Sequence, residues 1–297
     1  MNHYRIETNG RCLEFGHQTA VMGILNITPD SFSDGGRFFS YEVAVAQGTK
    51  MAAEGADIID IGGESTRPFS EMISEAEEIR RVVPVVEALA KTIDVPISVD
   101  TMKAEVARRS LDAGAAIIND ISALRHDPDM AGLVAETGVP VILMHMLGSP
   151  KTMQVNPIYE NVVEDIIRFL EEAMASAERQ GVDRGRIIID PGLGFGKTMA
   201  HNLTLLQQVP RFASLDAPIL IGASRKKFIR TLLRSPDREE PSPQSPEVAV
   251  GSLAAVAAAV LGGAHIVRVH DVAETRATVA VTDAIRNAQG HSDRKQG

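Results

Sequence analysis

Apolar residues along this chain fall into short β-branched runs, and each run is followed by a stretch with helical spacing. The runs at 21–25, 57–61, 96–100, 116–119, 140–145, 187–190, 218–222 and 265–270 are the strand candidates. Residues 75–90 are predicted helical, with Ile79, Val83, Val86 and Ala90 on one face. Ser74 followed by Glu77 suggests a capping box for it, and Pro84 is expected to kink or split it. A second helix is predicted from Asn161 to Gln180, with Gly181 as its stop. Eight strand-then-helix units predict an α/β fold of the (β/α)8 TIM-barrel type. A doubly wound open sheet competes. The even spread of the repeats and the lack of a linker favour the barrel.

Three segments fall outside the alternation. Residues 4–15 are expected to form a β-hairpin turning at Asn9-Gly10 and plugging the bottom of the barrel. Residues 235–247 carry four prolines and are expected to be a mobile loop between two helical pieces. The polar stretch 289–297 is expected to be a disordered tail, leaving 1–288 as one domain.

Successive strand side chains point to opposite faces, so the phase of each strand can be followed to its C-terminal end. Asp100 goes with Ser98, against Ile97 and Val99. Asp190 goes with Ile188, Asn119 with Ile117, and Asp60 with Ile58. Asn26 goes with Ile24 and Met22, while Arg268 and His270 share a face. Six strands thus end in a polar group on the face their outward apolar residues leave free. In a barrel that face opens into the mouth where ligands bind.

Composition narrows the classes. The chain has 297 residues, 44% of them hydrophobic, and a formal charge of −9. Disorder is excluded by the apolar content, and a disulfide scaffold by the single Cys12. The acidic balance and the absence of Trp argue against a nucleic-acid partner. No apolar run reaches the roughly 18 residues of a membrane span, so a cytoplasmic enzyme is expected. No HExxH or paired-Cys pattern points to zinc.

The mouth mixes Asp60, Asp100 and Asp190 with Arg67, Lys226, Arg268 and His270. Carboxylates beside an Asn suit a flat ligand rich in N–H donors. Two cations two residues apart on one strand suit a phosphate or diphosphate. The run 191–198 (PGLGFGKT) imitates a phosphate-binding loop, but Pro191 stands where the first glycine is required. It is expected to be a tight turn whose backbone approaches a flat ligand. His145 is expected to be a structural residue of the mouth.

These segments resemble those of the dihydropteroate synthase family over nearly the whole chain. They are MGILNITPDSFSDGG (22–36), GADIIDIGGESTRP (55–68), SVDTMKAEVA (98–107), IINDIS (117–122), LMHMLGSPKTMQ (143–154), DPGLGFGKT (190–198), GASRKKF (222–228) and HIVRVHDV (265–272). The resemblance implies a homodimeric barrel that joins 6-hydroxymethyl-7,8-dihydropterin diphosphate to 4-aminobenzoate and releases diphosphate. It implies that Asn26 binds Mg2+ together with the diphosphate. Asp100, Asn119, Asp190 and Lys226 would hold the pterin, and Arg268 and His270 the diphosphate. Thr66 and Arg67 would lie near the diphosphate and aminobenzoate, with Phe32, Pro68, Phe195 and Lys227 around the aminobenzoate. Asp100, Lys226, Arg268 and His270 would be catalytic. The rival readings are a catalytically silent pterin-binding paralogue, a methyltetrahydrofolate-dependent methyl transferase domain and a sugar-phosphate lyase.

Overall fold

The computed structural model describes residues 2–8, 10–27, 37–65, 72–149, 151–235, 237 and 239–288. Two antiparallel strands come first, β1 (Tyr4–Thr8) and β2 (Arg11–Phe15). Eight parallel strands follow: β3 (Ala20–Asn26), β4 (Ile58–Gly62), β5 (Ile97–Asp100), β6 (Ile117–Asp120), β7 (Val141–Met144), β8 (Ile187–Asp190), β9 (Leu220–Ile221) and β10 (Ile266–Val269). They pair in chain order, with β10 between β9 and β3. The ring is joined between β8 and β9 by a single bridge from Ile189 to Ile219. This seam is the thinnest part of the wall, because β9 has only two residues.

Helices cover the outside: α1 (Arg37–Ala53), α2 (Glu75–Ala90), α3 (Ala104–Asp112), α4 (Met130–Thr137), α5 (Val162–Arg179), α6 (Met199–Gln207), α7 (Lys227–Leu233), α8 (Pro246–Leu261) and α9 (Val272–Ala288). The predicted α/β barrel is therefore the fold. None of these helices is long and apolar enough to cross a membrane. Cys12 is exposed and free.

Strand alternation divides the apolar residues into two bodies. Ile59, Ile61, Ile97, Val99, Ile118, Ile187, Ile189 and Val267 pack outward under the helices. Met22, Ile58, Ile117, Ile142, Ile188, Leu220 and Ile266 fill the barrel, together with Ile6, Leu13 and Phe15 of the hairpin. Burying each of these side chains stabilises the fold by about 1.5–3 kcal/mol. The hairpin thus closes the N-terminal end, as expected. Thr8 Oγ1 donates to the Ala116 carbonyl at 2.6 Å, and Arg186 Nη1 to the Glu7 carbonyl at 2.6 Å. Ala116, just before β6 begins, also packs with the inner cluster.

Three local expectations for α2 need correction. The buried stripe of α2 is Glu78, Val82, Val85, Val86 and Leu89, about one residue away from the predicted face. A carboxylate sits in that stripe because Lys103 Nζ reaches it at 2.6 Å and Glu64 at 2.5 Å, forming a buried triad. Pro84 does not split the helix: it removes one backbone donor, and the apolar stripe holds the rest together. The capping box is half made. Ser74 accepts from the Glu77 amide, but the Glu77 carboxylate turns to Arg80 and Arg81. Asn161 caps α5, and Gly181 follows it at φ +93°. The segment after α7 connects two helices as expected, and Arg230 ties into it through Glu240 and the Pro241 carbonyl.

Candidate active site

The C-terminal ends of the strands bring the polar residues together. Arg268 is the hub. Its Nε donates to Asp60 Oδ2 at 2.6 Å and its Nη2 to Asp100 Oδ2 at 2.8 Å. Asn119 Nδ2 donates to the same Asp60 oxygen at 3.0 Å. Asp60 is fully buried, and its Oδ1 has no hydrogen-bond partner among the described residues. Asp60 therefore orients Arg268 and Asn119 from below, and Asp100 and Asn119 stand above it.

Burial pushes the Asp100 carboxyl up to about 7, against the pull of Arg268 and helped by Asp60, Glu78 and Asp120. Asp190 is raised by burial too, while Lys226, the Gly192 amide, Lys197 and Arg268 oppose the rise. Burial lowers Lys226 to about 8, with Asp190 holding it up. Lys226 donates to the Leu193 carbonyl, and its ammonium stands 4.4 Å above the Phe195 ring. Phe195 also packs against the buried Met102, Ile121, Met144, Met146 and Met153. The mouth thus has an apolar sulfur-rich wall beside a carboxylate floor, a surface that a flat heterocycle fits.

His270, just beyond β10, has its Nδ1 3.0 Å from Ser224 Oγ. Arg225 pairs with Asp271 at 2.5 Å. Asn26 ends β3. A Cβ placed on Gly62 would lie 3.7 Å from Asp100 Oδ2 and 3.8 Å from Asn26 Oδ1, so both side chains flank the glycine. Lys227, assigned to the aminobenzoate rim, is exposed at the start of α7. The expectations for Phe32, Thr66, Arg67, Pro68 and the 289–297 tail lie outside the described residues.

Sequence reasoning missed several groups. Asp120 accepts from the Ser122 amide and hydroxyl and from the Leu124 amide, which builds the turn after β6. Lys197 is 3% exposed and contacts both His145 and Phe195. The Glu64–Lys103–Glu78 triad was also missed. The signal for Lys197 in the sequence is a lysine inside a glycine-rich turn that lacks the phosphate-loop pattern.

A family described as pterin binding enzymes matches residues 22–270. The chain is 46% identical to a dihydropteroate synthase of Escherichia coli strain K12, over 96% of this chain and 98% of that protein. The chain belongs to the dihydropteroate synthase family. It is therefore a transferase of folate biosynthesis. Among solved structures, a Xanthomonas albilineans dihydropteroate synthase with 4-aminobenzoic acid superposes with a TM-score of 0.88 at 46% identity, over 96% of this chain and 99% of that one. A second, in complex with 7,8-dihydropteroate, gives 0.83 at 44%, over 95% and 98%.

Proposed function

We propose that the barrel mouth condenses 6-hydroxymethyl-7,8-dihydropterin diphosphate with 4-aminobenzoate, giving 7,8-dihydropteroate and diphosphate. The observation that carries this reading is the shared cavity: Arg268 touches Asp60 and Asp100 at once, beside Asn119 and next to Asp190 and Lys226. Relatives with 4-aminobenzoate or 7,8-dihydropteroate bound support it.

Asp100, Asn119 and Asp190 accept from and donate to the pterin edge, and Lys226 and Phe195 line its face. The C9–O bond breaks as diphosphate leaves, and a C9–N bond forms to the arylamine, which loses a proton. The Arg268 guanidinium offers its remaining Nη1 edge and His270 its imidazole to the departing diphosphate, as preorganised donors aimed at developing charge. Anionic Asp100 stabilises positive charge on the pterin as diphosphate departs. The arylamine is largely neutral near pH 7, so the scheme needs no dedicated base.

Among the described residues no group of three or more His, Cys, Asp or Glu side chains could hold a metal. The Asn26 Oδ1 beside Gly62 is a neutral oxygen donor of the kind a hard cation takes when water and ligand phosphates are its other donors. Asn26 is the residue that would hold Mg2+, which when bound would neutralise diphosphate charge.

A homodimer is part of the proposal. A groove of about 700 Å3 between α6, α7 and α8 is lined by Leu203, Phe228, Leu232 and Leu261, and its apolar rim suits a second copy. One domain over 1–288 and a cytoplasmic location complete the reading.

The test is calorimetric titration of pterin diphosphate into the enzyme and into Asp190→Ala, with and without Mg2+. Affinity is expected to fall about 100-fold or more in the variant, as when one partner of a buried charged contact is removed. Unchanged affinity would show that the floor assignment is wrong.

A further inference from the structure

The glycine-rich loop between β8 and α6 is held by its carbonyls. Four in succession each accept from a side chain. Lys226 reaches the Leu193 oxygen, Gln154 reaches Gly194 at 2.6 Å, Lys197 reaches Phe195 at 2.9 Å, and Tyr159 reaches Gly196 at 2.8 Å. The fit against the exit of β7 is close. A Cβ on Gly192, at φ +70°, would stand 2.0 Å from the His145 carbonyl oxygen. One on Gly196, at φ +66°, would stand 2.6 Å from Leu147 Cβ.

Lys197 is the unusual member of this set. It is buried, and among the described residues no carboxylate lies within ion-pair distance of it. Its Nζ lies 2.9 Å from His145 Nδ1, 2.9 Å from the Phe195 carbonyl and 3.4 Å from the His145 carbonyl. A lysine amino group donates to such acceptors, and three of them from two chain segments surround it. Burial first, then the charges of Lys197 and Arg125, lowers the His145 imidazole to about 2. The ring is therefore neutral and free to accept at Nδ1. Burial also lowers Lys197, while the Asp190 charge opposes that shift. A buried amino group is costly, and an apolar side chain would fill the same space. Its presence calls for a reason at the site.

We infer that Lys197 is a positioning residue for pterin recognition: by tying the Phe195 main chain to His145, it fixes the Phe195 ring and the Lys226 ammonium stacked on that ring. This rests on the reading that Asp190, Phe195 and Lys226 receive the pterin. Lys197 touches no reacting atom. It acts through Phe195, and its charge also favours the ionised form of Asp190 on the floor.

The test replaces Lys197 with Met, which keeps length and volume but loses all three donors. In Lys197→Met the Kd and KM for pterin diphosphate are expected to rise about tenfold, the effect of one lost charged hydrogen bond, with kcat within about threefold. His145→Leu is expected to raise the same KM. The double variant should be no worse than the poorer single one, because the two residues act as one unit. His145→Gln, which retains an acceptor, is expected to restore most of the affinity. A fall in kcat at constant KM, an unchanged Kd, or additive losses would overturn the inference. If Lys197→Met does not fold, the His145 pair decides: loss in Leu with recovery in Gln supports it, and equal values refute it. Asp190→Ala separates the two levels. If that variant keeps its affinity for the pterin, the underlying reading fails. If it loses affinity while Lys197→Met does not, only the role of Lys197 fails.

Discussion

The two ends of the barrel are built from the same strands and the same inward face, yet they differ in chemistry. Ile58 and Asp60 are two residues apart, as are Ile117 and Asn119, Ile188 and Asp190, and Ile266 and Arg268. One step of the alternation, about 6.6 Å, separates a dry layer from an ionic one. The lower layer is capped by the hairpin and is apolar, built mainly of Ile with Leu, Met, Phe and Ala. The upper layer holds charges that the interior tolerates because Arg268 sits between two carboxylates. Stability and reactivity are thus stacked along each strand rather than assigned to separate elements. The division predicts that changes at one end should register in folding and changes at the other in turnover.

Arg268→Ala tests the upper layer most severely. Turnover is expected to fall about 1,000-fold, while binding of free pterin without diphosphate falls far less. Steady-state kinetics beside pterin titration read the contrast, and a variant with intact turnover would place the diphosphate clamp elsewhere. At the other end, Phe15→Ala should cost about 3–5 kcal/mol in denaturant unfolding, with kcat per folded molecule unchanged. A selective loss of kcat there would dissolve the distinction between the layers.

The pH profile sharpens it further. Asp100 must be anionic, and burial has raised it to about 7, so kcat/KM should drop below that pH. Lys226 must be cationic, and burial has lowered it to about 8, so activity should also drop above that pH. The result is a narrow bell in the free-enzyme profile, and Asp100→Asn should lose its acid limb along with most of its activity. A flat profile between pH 5 and 10, tested with buffers of matched ionic strength, would be incompatible with these two groups. The smallest effect is expected from Thr8→Val, which removes the hydroxyl donated to the Ala116 carbonyl. About 1 kcal/mol should be lost in unfolding, with no change in kinetics.

Most of this layering was legible in the sequence, because periods of two and about 3.6 residues are set by backbone geometry. Asp60, Asp100, Asn119, Asp190 and Arg268 all fell on the inward face by phase alone. What escaped is the support behind them. Lys197 joins His145 across 52 residues of chain, and Lys103 joins Glu64 and Glu78 across 39 and 25. Such pairings arise from tertiary proximity, which no local period encodes. The misplaced face of α2 has the same origin: a hydrophobic pattern cannot foresee that Glu78 is drawn inward by a lysine from another loop.

The seam between β8 and β9 has a mechanical meaning. Asp190 ends one side, and Lys226 follows the other, across the single Ile189–Ile219 bridge. A heterocycle gripped by both would act as a rivet over the weakest joint. Amide protons of Leu220 and Ile221 would then exchange more slowly in the loaded enzyme, so occupancy of the mouth would be felt as stiffness in the wall.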